Sequence, residues 1–247
     1  MQTPLPKKLN ADPIIDAIIE IRVVVNQPLN SIMPGVLLQA QDVGYLRSQE
    51  LPAASIPEAV RRSDPNLRYQ PLVRAEFKDG FNLLIGDAVL AVVASMPYVG
   101  GVGFKSKATQ ILTLLLGLPV VERVQRLSMK YTDFIEAESL QQLDTYLNLD
   151  LKLGSVHAPE TLGYDLNLQV EGNEVLHLLR LVALTRLGDK EGLILDVDTI
   201  KQIDDLPAEA FKPQLVSTLD NLHQQSKTQF FSLLTPQALA KLEAVYE

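Results

Sequence analysis

Six side chains in this sequence have types and spacings that chemistry could use. Asp196 and Asp198 stand two apart in an alternating stretch. Their carboxylates would share one strand face, roughly 6.5–7 Å apart by strand rise. Such a pair can hold a hard cation or divide acid and base roles. No further oxygen ligands lie close by in sequence, so a solvated polar face is the simpler reading. Arg126 and Lys130 share another strand face, with Tyr131 next in sequence. Two cations so placed could clamp an anion or an acidic segment of a partner. His177 falls in the most apolar strand-like stretch. A histidine there needs a hydrogen-bond partner, and a core or interface role is the simpler reading. Arg61, Arg62, Arg68 and Arg74 form a local basic cluster; lone clusters of this kind are usually solvated or paired with nearby acids.

Other patterns fail specific tests. Gly100-Gly101-Val102-Gly103-Phe104-Lys105-Ser106 ends like a phosphate-binding loop, but Phe104 stands where a glycine should precede the lysine, and Val99 replaces another. The expectation for it is a flexible entry to a helix. The histidines His157, His177 and His223 show no metal-ligand spacing. No Gly-x-Ser-x-Gly elbow occurs. There is no cysteine, which removes thiol catalysis, disulfides and Cys-based metal sites. The sequence thus carries no enzyme signature and points to no cofactor and no metal.

Bulk composition narrows the partners. The chain has 247 residues, 47% of them hydrophobic, and a net charge of −8. A sizeable core is available, while an acidic surface disfavours direct nucleic-acid binding and docking on anionic lipid. The most apolar stretch, residues 111–121, is far shorter than a bilayer span and contains Gly117 and Pro119. Residues 1–12 lack the apolar region of a secretory signal. The expectation is a cytoplasmic protein with no membrane association.

Periodicity supplies the elements that must position these groups. Residues 15–25 alternate as a strand, and residues 30–40 read as a short helix with Pro34 in its first turn. Residues 44–69 break the pattern at Pro52, Pro57 and Pro65, leaving an irregular excursion with one helical turn at 58–62. Alternation returns around the turns Asp79-Gly80 and Gly86-Asp87, giving a meander over residues 73–93. A helix follows at 109–117. Next come a strand at 126–131, a helix at 139–146, and strands at 164–170, 174–187 and 193–198. The strand at 174–187 is apolar on most of both faces, which suggests a doubly covered position or a subunit interface. A long helix runs from Pro213 to about Leu234, and Thr235-Pro236 caps a last short one.

Both halves therefore read strand, helix, three-stranded meander, helix. The predicted class is α+β, with antiparallel sheets carrying helices on one face, in consecutive halves 1–118 and 119–247. Element order alone is compatible with a duplication.

Several stretches together resemble a known group. Residues 9–22 (LNADPIIDAIIEIR) are similar to the opening of a sporadically distributed family of bacterial proteins of about this length. Asp16 stands where many members carry glutamate. Residues 126–133 (RLSMKYTD) resemble the family's Arg-rich strand, with Lys130 in place of an arginine and Asp133 in place of an asparagine. Residues 195–198 (LDVD), Leu222-His223 and residues 230–235 (FFSLLT) resemble its closing motifs. The family has no established activity, so the resemblance carries over no catalytic residue. Its patchy occurrence is compatible with mobile-element, toxin–antitoxin or defence roles.

Two functional readings follow. The first is a non-catalytic protein-interaction module, homodimeric, with a protein partner. The second is a small-ligand sensor, or an enzyme with its site in a cleft between the halves.

Overall fold

The computed structural model describes residues 4–137, 139, 142, 145–157 and 163–246. The fold is α+β with a large antiparallel sheet. Its strands are β1 (Lys8–Leu9), β2 (Ile14–Val25), β3 (Tyr45–Glu50), β4 (Val73–Phe77), β5 (Phe81–Ile85), β6 (Val89–Ala94), β7 (Val121–Glu136), β8 (Lys152–Leu153), β9 (Val156–His157), β10 (Asp165–Glu171), β11 (Leu176–Leu187), β12 (Lys190–Pro207) and β13 (Ala244–Val245). The helices treated below are α1 (Leu29–Gln39), α2 (Glu58–Ser63), α3 (Gly100–Leu116), α4 (Leu215–Leu233) and α5 (Pro236–Lys241). Strand order in the large sheet is β10-β11-β12-β7-β2-β6-β5-β4-β3.

The chain forms two compact units, each built from separated segments. The first comprises Met1–Ile15, Lys130–Thr199 and His223–Glu247; the second comprises Asp16–Met129 and Ile200–Leu222.

In the second unit, β2 places Ala17, Ile19, Ile21 and Val23 on one face, all fully buried, because strict alternation sends every second side chain to the same side. β2 pairs antiparallel with β6; β6, β5 and β4 follow as hairpin neighbours, and β3 pairs antiparallel with β4 across the excursion of residues 51–72. α1 packs on β3 and β5, and α3 packs on β6. Phe104 of α3 stacks on Phe81 of β5 with centroids 6.3 Å apart. Lys107 of α3 is 5% exposed. It donates to the Val43 carbonyl at 2.6 Å, pairs with Asp79 at 2.8 Å and lies 4.4 Å from the centre of the Phe77 ring.

The glycine run is not a loop: α3 begins at Gly100 itself, whose φ of +84° makes the sharp entry that a side chain would resist. Burial of Phe104 and Lys107 outweighs the low helix propensity of the glycines that precede them. Residues 44–69 are not wholly irregular, because β3 occupies Tyr45–Glu50. It is nearly all exposed, so it lacks the apolar alternation that marks a half-buried strand. The helix expected at 139–146 lies largely outside the described residues.

In the first unit, Leu179, Leu181 and Ala183 of β11 and Leu193, Leu195 and Val197 of β12 face a core shared with Phe230 and Leu234. Gly192 is required there, since a Cβ would collide with the Ile135 carbonyl oxygen. α5 starts as its sequence demands, with Thr235 Oγ1 accepting from the Ala238 amide at 3.2 Å.

Candidate functional site

The first unit carries an open depression of about 420 Å³. Lys130, Asn167, Leu168, Gln169, Leu178, Leu179, Arg180, Asp196 and Asp198 line it. Register explains the convergence. Leu193, Leu195 and Val197 point into the core, so alternation sends Asp196 and Asp198 to the opposite face. Antiparallel pairing sets Asn167 against Arg180 and Gln169 against Leu178 on neighbouring strands.

Lys130, Asp196 and Arg180 are compensated locally. Lys130 Nζ stands 3.4 Å from Asp196 Oδ2, and Thr132 Oγ1 donates to Asp196 Oδ1. Arg180 holds Asp165 with two parallel bonds, Nε to Oδ1 at 3.0 Å and Nη2 to Oδ2 at 2.7 Å. That fork keeps the Asp165 carboxyl below its ordinary range and the Arg180 guanidinium above its own. The lining thus presents two cations, Lys130 and Arg180, with two carboxylates, Asp196 and Asp198.

Of the six side chains singled out by sequence, the depression unites Lys130, Asp196 and Asp198. The other three go elsewhere. Arg126 belongs to the second unit, where its Nη2 donates to Ser128 Oγ at 3.4 Å. Tyr131 is 8% exposed, on the strand face opposite Lys130, and its hydroxyl shares a hydrogen bond with His223 Nδ1 at 3.2 Å. His177 is 3% exposed and bonds Thr199 Oγ1; burial pushes its pKa below the ordinary imidazole value. Its Nε2 lies so close to Gly172 that a Cβ there would stand 2.7 Å away.

The basic cluster disperses as well. Arg61 is buried against Asp87, with Nε to Oδ2 at 2.8 Å and Nη2 to Oδ1 at 3.0 Å, and also donates to the Ile56 carbonyl. Arg62 pairs with Glu58 at 2.6 Å, Arg74 donates to Asn82 at 3.0 Å, and Arg68 lies beside the Tyr69 ring.

Local pattern gave no warning of three participants. Arg180 and Thr132 reach the site region only through strand pairing. Asp133 is 2% exposed. Burial, and then the nearby charges of Asp12 and Asp196, push its pKa well above the ordinary carboxyl value. Asp12 is itself raised by burial, against a bond from the Ile14 amide. Among the described residues no group of three His, Asp or Glu side chains is placed to hold a metal ion, and no helix is long and apolar enough to cross a membrane.

A comparison with models of known protein families matches none of them, and a comparison with curated proteins finds no match.

Proposed function

We propose that this chain is a non-catalytic protein-interaction module: a cytoplasmic, homodimeric bacterial protein acting with a protein partner in a mobile-element, toxin–antitoxin or defence setting. The observation that carries the reading is the depression. It is open, it mixes Leu168 and Leu178 with polar groups, and its cations and carboxylates balance. A surface of alternating sign selects a partner through charge register rather than bulk attraction. The family resemblance of residues 9–22 and 126–133 supports the setting.

The test is purification of tagged protein from its own host, beside an Asp198→Lys variant with an unchanged melting curve. One protein recovered with the parent chain and lost from the variant supports the reading. Equal recovery, or none, sinks it.

The volume of the depression favours a second reading, a small-ligand sensor or enzyme, since ligand pockets occupy roughly 300–1,000 Å³. Native mass spectrometry of the same purified material decides between them: a retained small molecule, absent from the Asp198→Lys variant, selects the ligand.

A further inference from the structure

β10 ends the large sheet, and its protection as an edge strand is limited to the charges at its two ends, Asp165 and Glu171. Its seven residues, DLNLQVE, contain no proline, no lysine and no bulge, the usual devices against edge pairing. The opposite edge strand, β3, differs. It has a register break at Tyr45/Arg47, and Arg47 lies across Glu76 at 2.8 Å.

Two hydrogen bonds fix which backbone groups of β10 face outward. The Gly172 amide donates to the Val175 carbonyl and the Ala183 amide donates to the Tyr164 carbonyl, both at 2.9 Å. Backbone groups alternate along an antiparallel ladder. Leu166, Leu168 and Val170 therefore bond β11, while Asp165, Asn167, Gln169 and Glu171 turn their N–H and C=O groups away from β11, toward an edge that no other described strand pairs with.

The polarity of β10 is a palindrome about Leu168. A two-fold axis there sets Asn167 opposite Gln169 of a second copy, Leu166 opposite Val170, and Asp165 opposite Glu171. Every outward backbone group then meets an outward backbone group. Leu168, which is 47% exposed, meets its own copy in the close, non-hydrogen-bonded position. Leu166 and Val170 already pack on the core of the first unit, so the apolar layer would continue into the second copy. The unfavourable pairing of Asp165 with Glu171, which occurs on both sides of the axis, is offset by the Arg180 fork on each Asp165.

We infer that β10 is a self-pairing edge that joins two copies of this chain antiparallel about Leu168. This gives an interface to the dimer proposed above and rests on that reading.

The test uses sedimentation over a concentration series together with single cysteines, which the chain otherwise lacks. The parent chain should sediment as a dimer. Gln169→Pro removes only an outward-facing donor, and Leu168→Lys places like charges on the axis. Each should give a monomer with an unchanged far-UV spectrum. Leu168→Cys should cross-link to itself on mild oxidation, since Cα atoms in such a pair stand about 4.5 Å apart, within disulfide reach. Leu166→Cys, opposite Val170, should not. A monomeric parent chain overturns both the dimer and its interface. A dimeric parent whose Leu168→Cys variant stays uncrosslinked overturns the interface alone, whatever the folding of the other variants.

Discussion

His177 Nδ1 and Thr199 Oγ1 share a 3.0 Å hydrogen bond between neighbouring strands β11 and β12, and both residues are almost entirely buried. Removing one partner leaves the other unsatisfied. Thr199→Val should therefore destabilise by about 1–3 kcal/mol, while the double variant His177→Leu/Thr199→Val should recover much of that loss. Burial lowers the His177 pKa, so its contribution is present in full above the unfolded value of about 6.5 and is lost as pH falls through the folded value. Melting temperatures measured from pH 5 to 8 should fall less steeply on the acid side for the double variant than for the parent.

Asp133 has the opposite sign. Its folded pKa lies well above the unfolded one, so its contribution is complete below the unfolded pKa of about 3.9 and is lost as pH rises through the folded value. Asp133→Asn keeps the shape and cannot ionise. The variant should be the more stable at pH 7, because Asp133 then either ionises in a buried setting or takes up a proton on folding. The advantage should shrink toward zero near pH 4 in chemical denaturation. An equal gap at both pH values would contradict a raised Asp133 pKa.

Arg61 and Asp87 form a buried two-bond pair in the second unit. Asp87→Ala should cost about 3–5 kcal/mol, because it strands a buried guanidinium. Arg61→Met/Asp87→Ala should cost less than the sum of its single changes. A double-mutant cycle by urea denaturation measures the coupling, and additive losses would contradict the pairing.

Lys130 and Asp196 pair across a partly exposed face, with side chains 36% and 13% exposed. Lys130→Ala should therefore change stability by less than about 1 kcal/mol. Under the proposed function it should also weaken partner capture at least tenfold, read by pull-down titration. Undiminished capture would remove Lys130 from the recognition surface.

Local elements were legible where a single period persists. Strict alternation marked β2 and the meander β4–β6, Asp79-Gly80 marked a turn, and Thr235-Pro236 marked the start of α5. β3 was not legible because an exposed strand has no apolar rhythm. The true start of α3 was hidden by three glycines whose cost is met by burial further along the helix.

The sequence by itself determined which side chains share a strand face. Asp196 with Asp198 followed from a period of two, and so did the separation of Lys130 from Tyr131. Only the tertiary structure decided what each face meets. It brought Arg180 and Asn167 to the depression, gave His177 its Thr199, and buried Asp133 beside Asp12. Each compact unit gathers segments far apart along the chain, and strand register between such segments is a long-range choice. The backbone alternation that orients a side chain is local, whereas its neighbour across the sheet is selected by the packing of the whole unit.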